Sequence, residues 1–199
     1  MTGKSIHRVA FRRRREGKTD YRMRKRMILS SHPRLVIRGS LKHMNIQVIT
    51  ARPEGDIVLT SAHSEEVSKM FGWKAPCGNI PTAYLTGLLA GYRAQAEGLP
   101  EAILDIGIRS PSRGSRVFAA LKGAVDSGFK VKHDETVLPA ELRVRGEHIA
   151  SYARELLSTD PGRYEAVFSG YLSRGLRPER IGGHFDQVKA MIIERLEGK

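Results

Sequence analysis

The chain has 199 residues, 40% of them hydrophobic and 28% charged, which is enough to bury a core in one domain or one domain with an appendage. Its formal net charge is +13, and its single cysteine, Cys77, excludes an intramolecular disulfide and any multi-cysteine zinc site, as is usual in a reducing cytoplasm. No apolar run approaches the roughly 20 residues of a membrane-spanning helix, so we expect no membrane partner.

The excess charge is concentrated in the first 26 residues, which hold eleven Lys and Arg against two acidic residues. A basic arm at one end of a nearly neutral body is typical of a nucleic-acid-binding protein. Arginine predominates, and its planar guanidinium binds phosphate through two hydrogen bonds and stacks on bases. A disordered tail and a targeting peptide are the alternatives. The candidate RNA-binding residues of the arm are Arg8, Arg12, Arg13, Arg14, Arg15, Lys18, Tyr21, Arg22, Arg24, Lys25 and Arg26.

Taken in chain order, the first predicted elements are a short basic helix and three strands. Thr19 or Asp20 can cap a helix over residues 21–30. Residues 34–38, 45–50 and 57–62 are rich in β-branched side chains and are separated by short turns. This pattern predicts an antiparallel meander, followed by a short helix from Ser64 to about Gly72.

The next segments predict helix 81–98, a buried strand over 102–108 and helix 116–127, which Gly128 ends. Gly87 and Gly91 lie on a small-residue flank of the first of these helices, where we expect another backbone to approach closely. A linker, residues 129–140, precedes helical segments 140–157, 163–172 and 184–196. The expected fold is a small α/β sandwich with a mixed sheet, divided into a basic arm (1–32), a core (33–130) and a helical C-terminal extension (131–199).

Two segments of the predicted core are candidates for binding RNA directly. The turn between the first two strands, here called the hairpin tip, groups Arg38, Ser40, Lys42 and His43, which suit phosphates, ribose hydroxyls and loop bases. The alternative is an ordinary solvated turn.

The second candidate is the loop 109–116, here called the arginine loop, which precedes a helix. At its end, Gly114 and Ser115 bring backbone N–H groups to the helix N-terminus, where an anion is favoured. Arg113 and Arg116 flank that point, so we predict a phosphate site there, with an ordinary capped loop as the alternative.

Other kinds of site have weak support in the sequence. Gly3-Lys4-Ser5 and Gly17-Lys18-Thr19 resemble the end of a nucleotide-binding P-loop, but neither has the preceding glycine and strand that the motif needs. The seven histidines lack metal-binding spacing, and no local signature suggests catalysis. We therefore expect no cofactor, no metal, no small-molecule substrate and no enzymatic activity.

Several long segments resemble the archaeal branch of the 5S-rRNA-binding large-subunit ribosomal protein family (universal family eighteen). They include YRMRKRM, RLVIRGSLKHMNIQVIT, WKAPCGNIPTAYLTGLLAGYRA, LDIGIRSPSRGSRVFAALKGAVDSG and LPAELRVRGEHIASYA, and the resemblance runs from about residue 8 to 155. The bacterial pattern R-S-x-x-H-x-x-x-Q-V-I has a counterpart in Arg38, Ser40, His43, Gln47, Val48 and Ile49, with Gly39 inserted. The family's glycine and arginine loop matches Arg113, Gly114 and Arg116.

This resemblance implies a cytoplasmic, ribosomal protein that binds 5S rRNA and attaches it to the central protuberance of the large subunit. Its implied partners are 5S rRNA, the large-subunit (23S-type) rRNA and neighbouring proteins of the central protuberance. Two rival functions remain: a basic DNA- or RNA-binding architectural protein outside the ribosome, and an RNA-modifying or nucleotide-hydrolysing enzyme. The final 40 residues match the family only in helical character, so their role stays open.

Overall fold

Within residues 9–197, which the computed structural model describes, five strands form one mixed sheet in the order β3-β2-β1-β4-β5. Strands β1 and β2 are antiparallel, as are β2 and β3, whereas β4 runs parallel to β1 and β5 parallel to β4. The predicted meander and mixed α/β fold are therefore confirmed. The strands are β1 (Arg34–Gly39), β2 (Met44–Thr50), β3 (Ile57–His63), β4 (Glu101–Asp105) and β5 (Lys130–Val131).

Helices precede, connect and follow these strands. The α-helices are α1 (Arg12–Arg15), α2 (Tyr21–Leu29), α3 (Ser64–Phe71), α4 (Ile80–Ala96), α5 (Arg116–Asp126), α6 (Glu141–Arg145), α7 (Glu147–Thr159), α8 (Pro161–Leu172) and α9 (Ile181–Glu197). The predicted cap at Asp20 is present, since its side chain accepts backbone hydrogen bonds at the start of α2, and the Asn79 side chain caps α4 in the same way.

The structure differs from the predicted elements in three places. Strand β4 ends at Asp105 because Gly107 takes a left-handed conformation (φ 72°) that turns the chain, and Ile108 is exposed. The predicted linker contains β5, whose residues pair with Glu101 and Ala102, and a 3-10 turn at Glu135–Val137. The predicted helix 140–157 is broken in two at Gly146, which also has a positive φ.

Helices α4 and α5 pack against each other through glycines. A Cβ atom at Gly87 would lie 1.9 Å from the carbonyl oxygen of Ala120, and one at Gly123 would lie 2.1 Å from that of Tyr84. At Gly91 the nearest atom would be the Ser127 hydroxyl, at 2.0 Å. Both helix backbones thus approach more closely than any side chain would allow, which confirms the expected packing role of Gly87 and Gly91.

The C-terminal helices pack on the body through aromatic side chains. The ring centroids of Tyr84 and Phe185 are 5.5 Å apart, and Asn79 donates a hydrogen bond to the Tyr171 hydroxyl over 3.3 Å. Phe185, Val188 and Ile192 on α9 belong to the same buried cluster as the sheet residues. The division into arm, core and extension remains a proposal.

Candidate nucleic-acid interface

The arm presents most of its cations to solvent. Helix α1 consists of Arg12, Arg13, Arg14 and Arg15, all exposed, and Arg8 lies outside the described residues. Some of this charge is balanced locally, since Glu16 lies 2.8 Å from Lys18 Nζ and 3.7 Å from Arg12 Nε. On α2, Arg22, Lys25 and Arg26 are exposed and form no ion pair with the described residues. These cations are available to phosphates.

A network of ion pairs joins helix α2 of the arm to the turn before β3 and to strand β1. Arg24 on α2 makes two hydrogen bonds, of 2.9 and 2.6 Å, to the Asp56 carboxylate in the turn before β3. Asp56 also accepts a hydrogen bond from Arg34 on β1, at 2.7 Å. Arg24 is therefore held by protein, which positions α2 beside the sheet.

The same network of ion pairs continues from β1 to β4. Asp105 accepts hydrogen bonds from Arg34 (2.8 Å) and Arg38 (2.7 Å), and Arg38 also donates to the Asp105 backbone carbonyl over 2.6 Å. The sequence analysis missed Arg34, Asp56 and Asp105 altogether. It placed Arg38 among the residues of the hairpin tip that bind RNA, whereas much of its guanidinium here serves to fix the end of β4.

The hairpin tip is a turn closed by hydrogen bonds, and Lys42 is an exposed cation on it. Ser40 closes the turn, because its hydroxyl accepts the His43 N–H at 2.9 Å and its own N–H donates to the His43 carbonyl at 2.8 Å. The His43 ring is half-buried, with its centroid 4.9 Å from that of His63 and Nδ1 3.2 Å from the Ser64 hydroxyl. Lys42 and Leu41 project outward, Leu41 with 93% of its surface exposed.

The arginine loop lies directly against the hairpin tip. Arg116 donates to the backbone carbonyls of Ser40 (3.1 Å) and Gly78 (2.7 Å), and Arg109 donates to the Gly39 carbonyl. Two segments predicted separately to bind RNA are thereby brought together on one surface. Arg109 was not among the predicted site residues; a loop arginine that reaches a distant carbonyl has no signal in the sequence.

The predicted phosphate site at the start of α5 is only partly open. The Gly114 N–H already donates to the Val137 carbonyl over 2.9 Å, and the Ser115 N–H donates to the Ser112 carbonyl over 3.2 Å. Arg113 remains exposed and forms no ion pair with the described residues. Any phosphate here would therefore meet the side chain of Arg113 and not these two amides, and the site itself remains a prediction.

Within residues 9–197, no group of three or more His, Cys, Asp or Glu side chains could hold a metal ion. In the same part of the chain, no helix is both long and apolar enough to cross a membrane.

The protein has a mixed α/β sheet with an exposed cationic arm beside it. It also has a basic turn that hydrogen bonds hold against a basic loop. These features are those of a nucleic-acid-binding protein of the α/β class. The chain belongs to the family described as ribosomal large subunit proteins 60S L5 and 50S L18, whose model matches residues 5–99 and 93–134. It is accordingly a structural, RNA-binding component of the large ribosomal subunit and not an enzyme, as predicted.

Two archaeal relatives have nearly the same extent as this chain, and both are named large ribosomal subunit protein uL18. The protein from Staphylothermus marinus is 51% identical over 188 residues, which cover 94% of this chain and 93% of the relative. The protein from Caldivirga maquilingensis is 49% identical over 195 residues, which cover 98% of this chain and 94% of the relative. The similarity therefore extends through the C-terminal helices.

Proposed function

We propose that the protein binds 5S rRNA and attaches it to the central protuberance of the large ribosomal subunit. Its further partners in this role are the large-subunit (23S-type) rRNA and neighbouring proteins of the central protuberance. Membership in the ribosomal family favours this function over an architectural role outside the ribosome.

The observation that carries the proposal is the connection between the hairpin tip and the arginine loop. Arg116 and Arg109 tie the two segments together through the carbonyls of Ser40 and Gly39. A surface fixed in this way can recognise the shape of a folded RNA, because the backbone positions from which its cations project are set before binding. Lys42 and Arg113 are the exposed cations that it presents.

The arm has a complementary role in the proposal. Its exposed cations, above all those of α1 and the outer side of α2, can contact several phosphates and so supply affinity with little sequence preference. Specificity then comes from the fixed surface and affinity from the arm. The Arg24–Asp56 pair holds the arm helix beside the sheet, so both regions can engage one RNA.

Crosslinking the full chain to total RNA from large subunits, followed by sequencing of the attached RNA, tests this function. We expect enrichment of 5S rRNA, with crosslinks from peptides that contain Lys42 and Arg113. Enrichment of 23S-type fragments without 5S rRNA would contradict the proposal while leaving the ribosomal assignment intact.

A further inference from the structure

A basic depression lies where the C-terminal helices meet the body, on a part of the chain that looks nearly neutral in sequence. It has a volume of about 620 Å³. Three cations line it: Lys74 from the segment before α4, and Arg177 and Arg180 from the segment between α8 and α9. Its remaining walls are formed by Gly175, Leu176, Gly183, His184 and Gln187. We call this depression the phosphate cradle.

No acidic side chain lines the cradle, and the acidic residues closest in sequence are engaged elsewhere. Asp186 lies 2.5 Å from Arg145. Glu179 lies against Tyr164, whose pKa is raised to about 12 by burial and by this carboxylate. The Oε1 atom of Glu179 is buried and has no hydrogen-bond partner among the described residues. Lys74, Arg177 and Arg180 form no ion pair with the described residues. Three cations without an acidic partner in one depression make a positive local potential, which favours binding of an anion.

The cradle is also held in a fixed shape. The His184 Nε2 atom accepts a hydrogen bond from the Lys74 N–H at 3.0 Å, and its ring stacks on Trp73 with a centroid separation of 5.0 Å. Burial and the Lys74 charge lower the pKa of His184, so the ring is neutral near pH 7 and can accept this bond. The body and the C-terminal helices are therefore joined at the site itself.

A short chain segment connects the cradle to the surface proposed to bind 5S rRNA. Lys74 begins a short segment that ends at Gly78, where a Cβ atom would lie 2.6 Å from the Leu41 carbonyl oxygen of the hairpin tip. The Gly78 carbonyl in turn accepts the hydrogen bond from Arg116. One short segment, residues 74–78, thus reaches from the cradle to the hairpin tip, and one RNA that contacts both would extend the proposed surface.

We propose that Lys74, Arg177 and Arg180 bind phosphates of the ribosomal RNA backbone, and that this contact extends the RNA-binding surface onto the C-terminal helices. The inference rests on the proposed function for its choice of RNA. Two arginines three residues apart suit adjacent phosphate oxygens, because each guanidinium can donate two parallel hydrogen bonds. A free phosphate ion shares this chemistry, and the experiment below distinguishes the two sources.

The test compares the full-length protein with the double variant Arg177→Gln, Arg180→Gln. The matched control is Arg143→Gln, Arg163→Gln, which removes the same charge from exposed arginines of the C-terminal helices that form no ion pair with the described residues. Affinity for a 5S rRNA transcript and for a 23S-type rRNA transcript is measured over a range of salt concentrations. Thermal melting with and without inorganic phosphate is measured in parallel.

We expect the cradle variant to bind at least one of these RNAs about tenfold more weakly than the control does. The slope of log affinity against log salt should fall by about 1.4 to 1.8, as the loss of two phosphate contacts requires. Equal RNA affinities for the two double variants would overturn the inference. If inorganic phosphate stabilises the unmodified protein and not the cradle variant, while RNA affinity is unchanged, the cradle binds free phosphate instead.

The two proposals fail in different ways in this experiment. Absence of 5S rRNA binding by the unmodified protein would overturn the proposed function, and the 23S-type transcript would still decide whether the cradle binds RNA. Binding of 5S rRNA that is insensitive to the cradle variant, with no effect on the 23S-type transcript, would overturn the cradle alone.

Discussion

Arg34 and Asp105 form a buried ion pair between two parallel strands, with Nη1 and Oδ2 2.8 Å apart and both side chains 5% exposed. Asp105→Ala should therefore destabilise the protein by about 3–5 kcal/mol, because it leaves a buried guanidinium short of a partner. Urea denaturation measures this change. Glu54→Ala, which removes an exposed carboxylate from a turn, is the control and should stay within about 0.5 kcal/mol. Similar losses in both variants would show that the pair has no special role.

The same network makes stability depend on pH. The hydrogen bond from Arg24 lowers the pKa of Asp56. Burial acts to raise the pKa of Asp105, but the hydrogen bond and charge of Arg38, the Gly107 N–H and the charge of Arg34 outweigh it and lower that pKa as well. The contribution of both carboxylates is full above their unfolded-state pKa of about 3.9 and is lost as the pH falls through the lower folded-state value.

We therefore expect the free energy of unfolding to fall as the pH drops below about 4, and to fall less steeply in Asp56→Asn. Denaturation at several pH values provides the comparison. An identical pH dependence in the variant would mean that Asp56 titrates alike in both states and does not hold Arg24.

Gly87 should be intolerant of any side chain. In Gly87→Ala the added methyl group would collide with the Ala120 carbonyl 1.9 Å away, and the helices must separate. The expected cost is about 1–3 kcal/mol or more. Gly170, inside α8, is the matched control because a Cβ there meets nothing within 4 Å, so Gly170→Ala should stabilise by up to about 1 kcal/mol. A stabilised Gly87→Ala protein would show that α4 and α5 do not touch in this way.

The hairpin tip is best tested one residue at a time. The His43 ring contacts His63 and Ser64, so its replacement would also disturb the fold, whereas the Lys42 side chain is exposed. Lys42→Ala should leave the melting temperature unchanged and lower the salt slope of 5S rRNA binding by about 0.7–0.9. Lys132→Ala, which removes another exposed lysine, should change neither the melting temperature nor this slope. A lower melting temperature with unchanged RNA binding would make Lys42 part of the scaffold.

These residues also show what could be predicted from the sequence. Local signals predicted the meander, the Asp20 cap and the close approach at Gly87, because β-branched runs, capping side chains and helix glycines act on neighbouring backbone. Lys130 and Val131 were assigned to a linker because two residues carry no strand periodicity; only their pairing with β4 makes them a strand.

The ion-pair network could not be predicted from the sequence, for a different reason. Arg34 and Asp105 are 71 positions apart, and Arg24 and Asp56 are 32 apart, so neither pair leaves a local pattern. Charge alone marked Arg24, Arg38 and Arg116 as RNA-binding candidates. It could not show that the fold already occupies each of them with a carboxylate or a carbonyl. Composition therefore indicates where cations are concentrated better than it indicates what each of them contacts.

The most direct measurement is a competition between 5S rRNA and an unrelated folded RNA of equal length for the full-length protein at one salt concentration. If the hairpin tip and the arginine loop recognise 5S rRNA, it should bind about 10³-fold more tightly, the lower end of the usual separation between specific and non-specific complexes. Equal affinity for the two RNAs would contradict this, and would mean that the protein binds RNA through charge without recognising its fold.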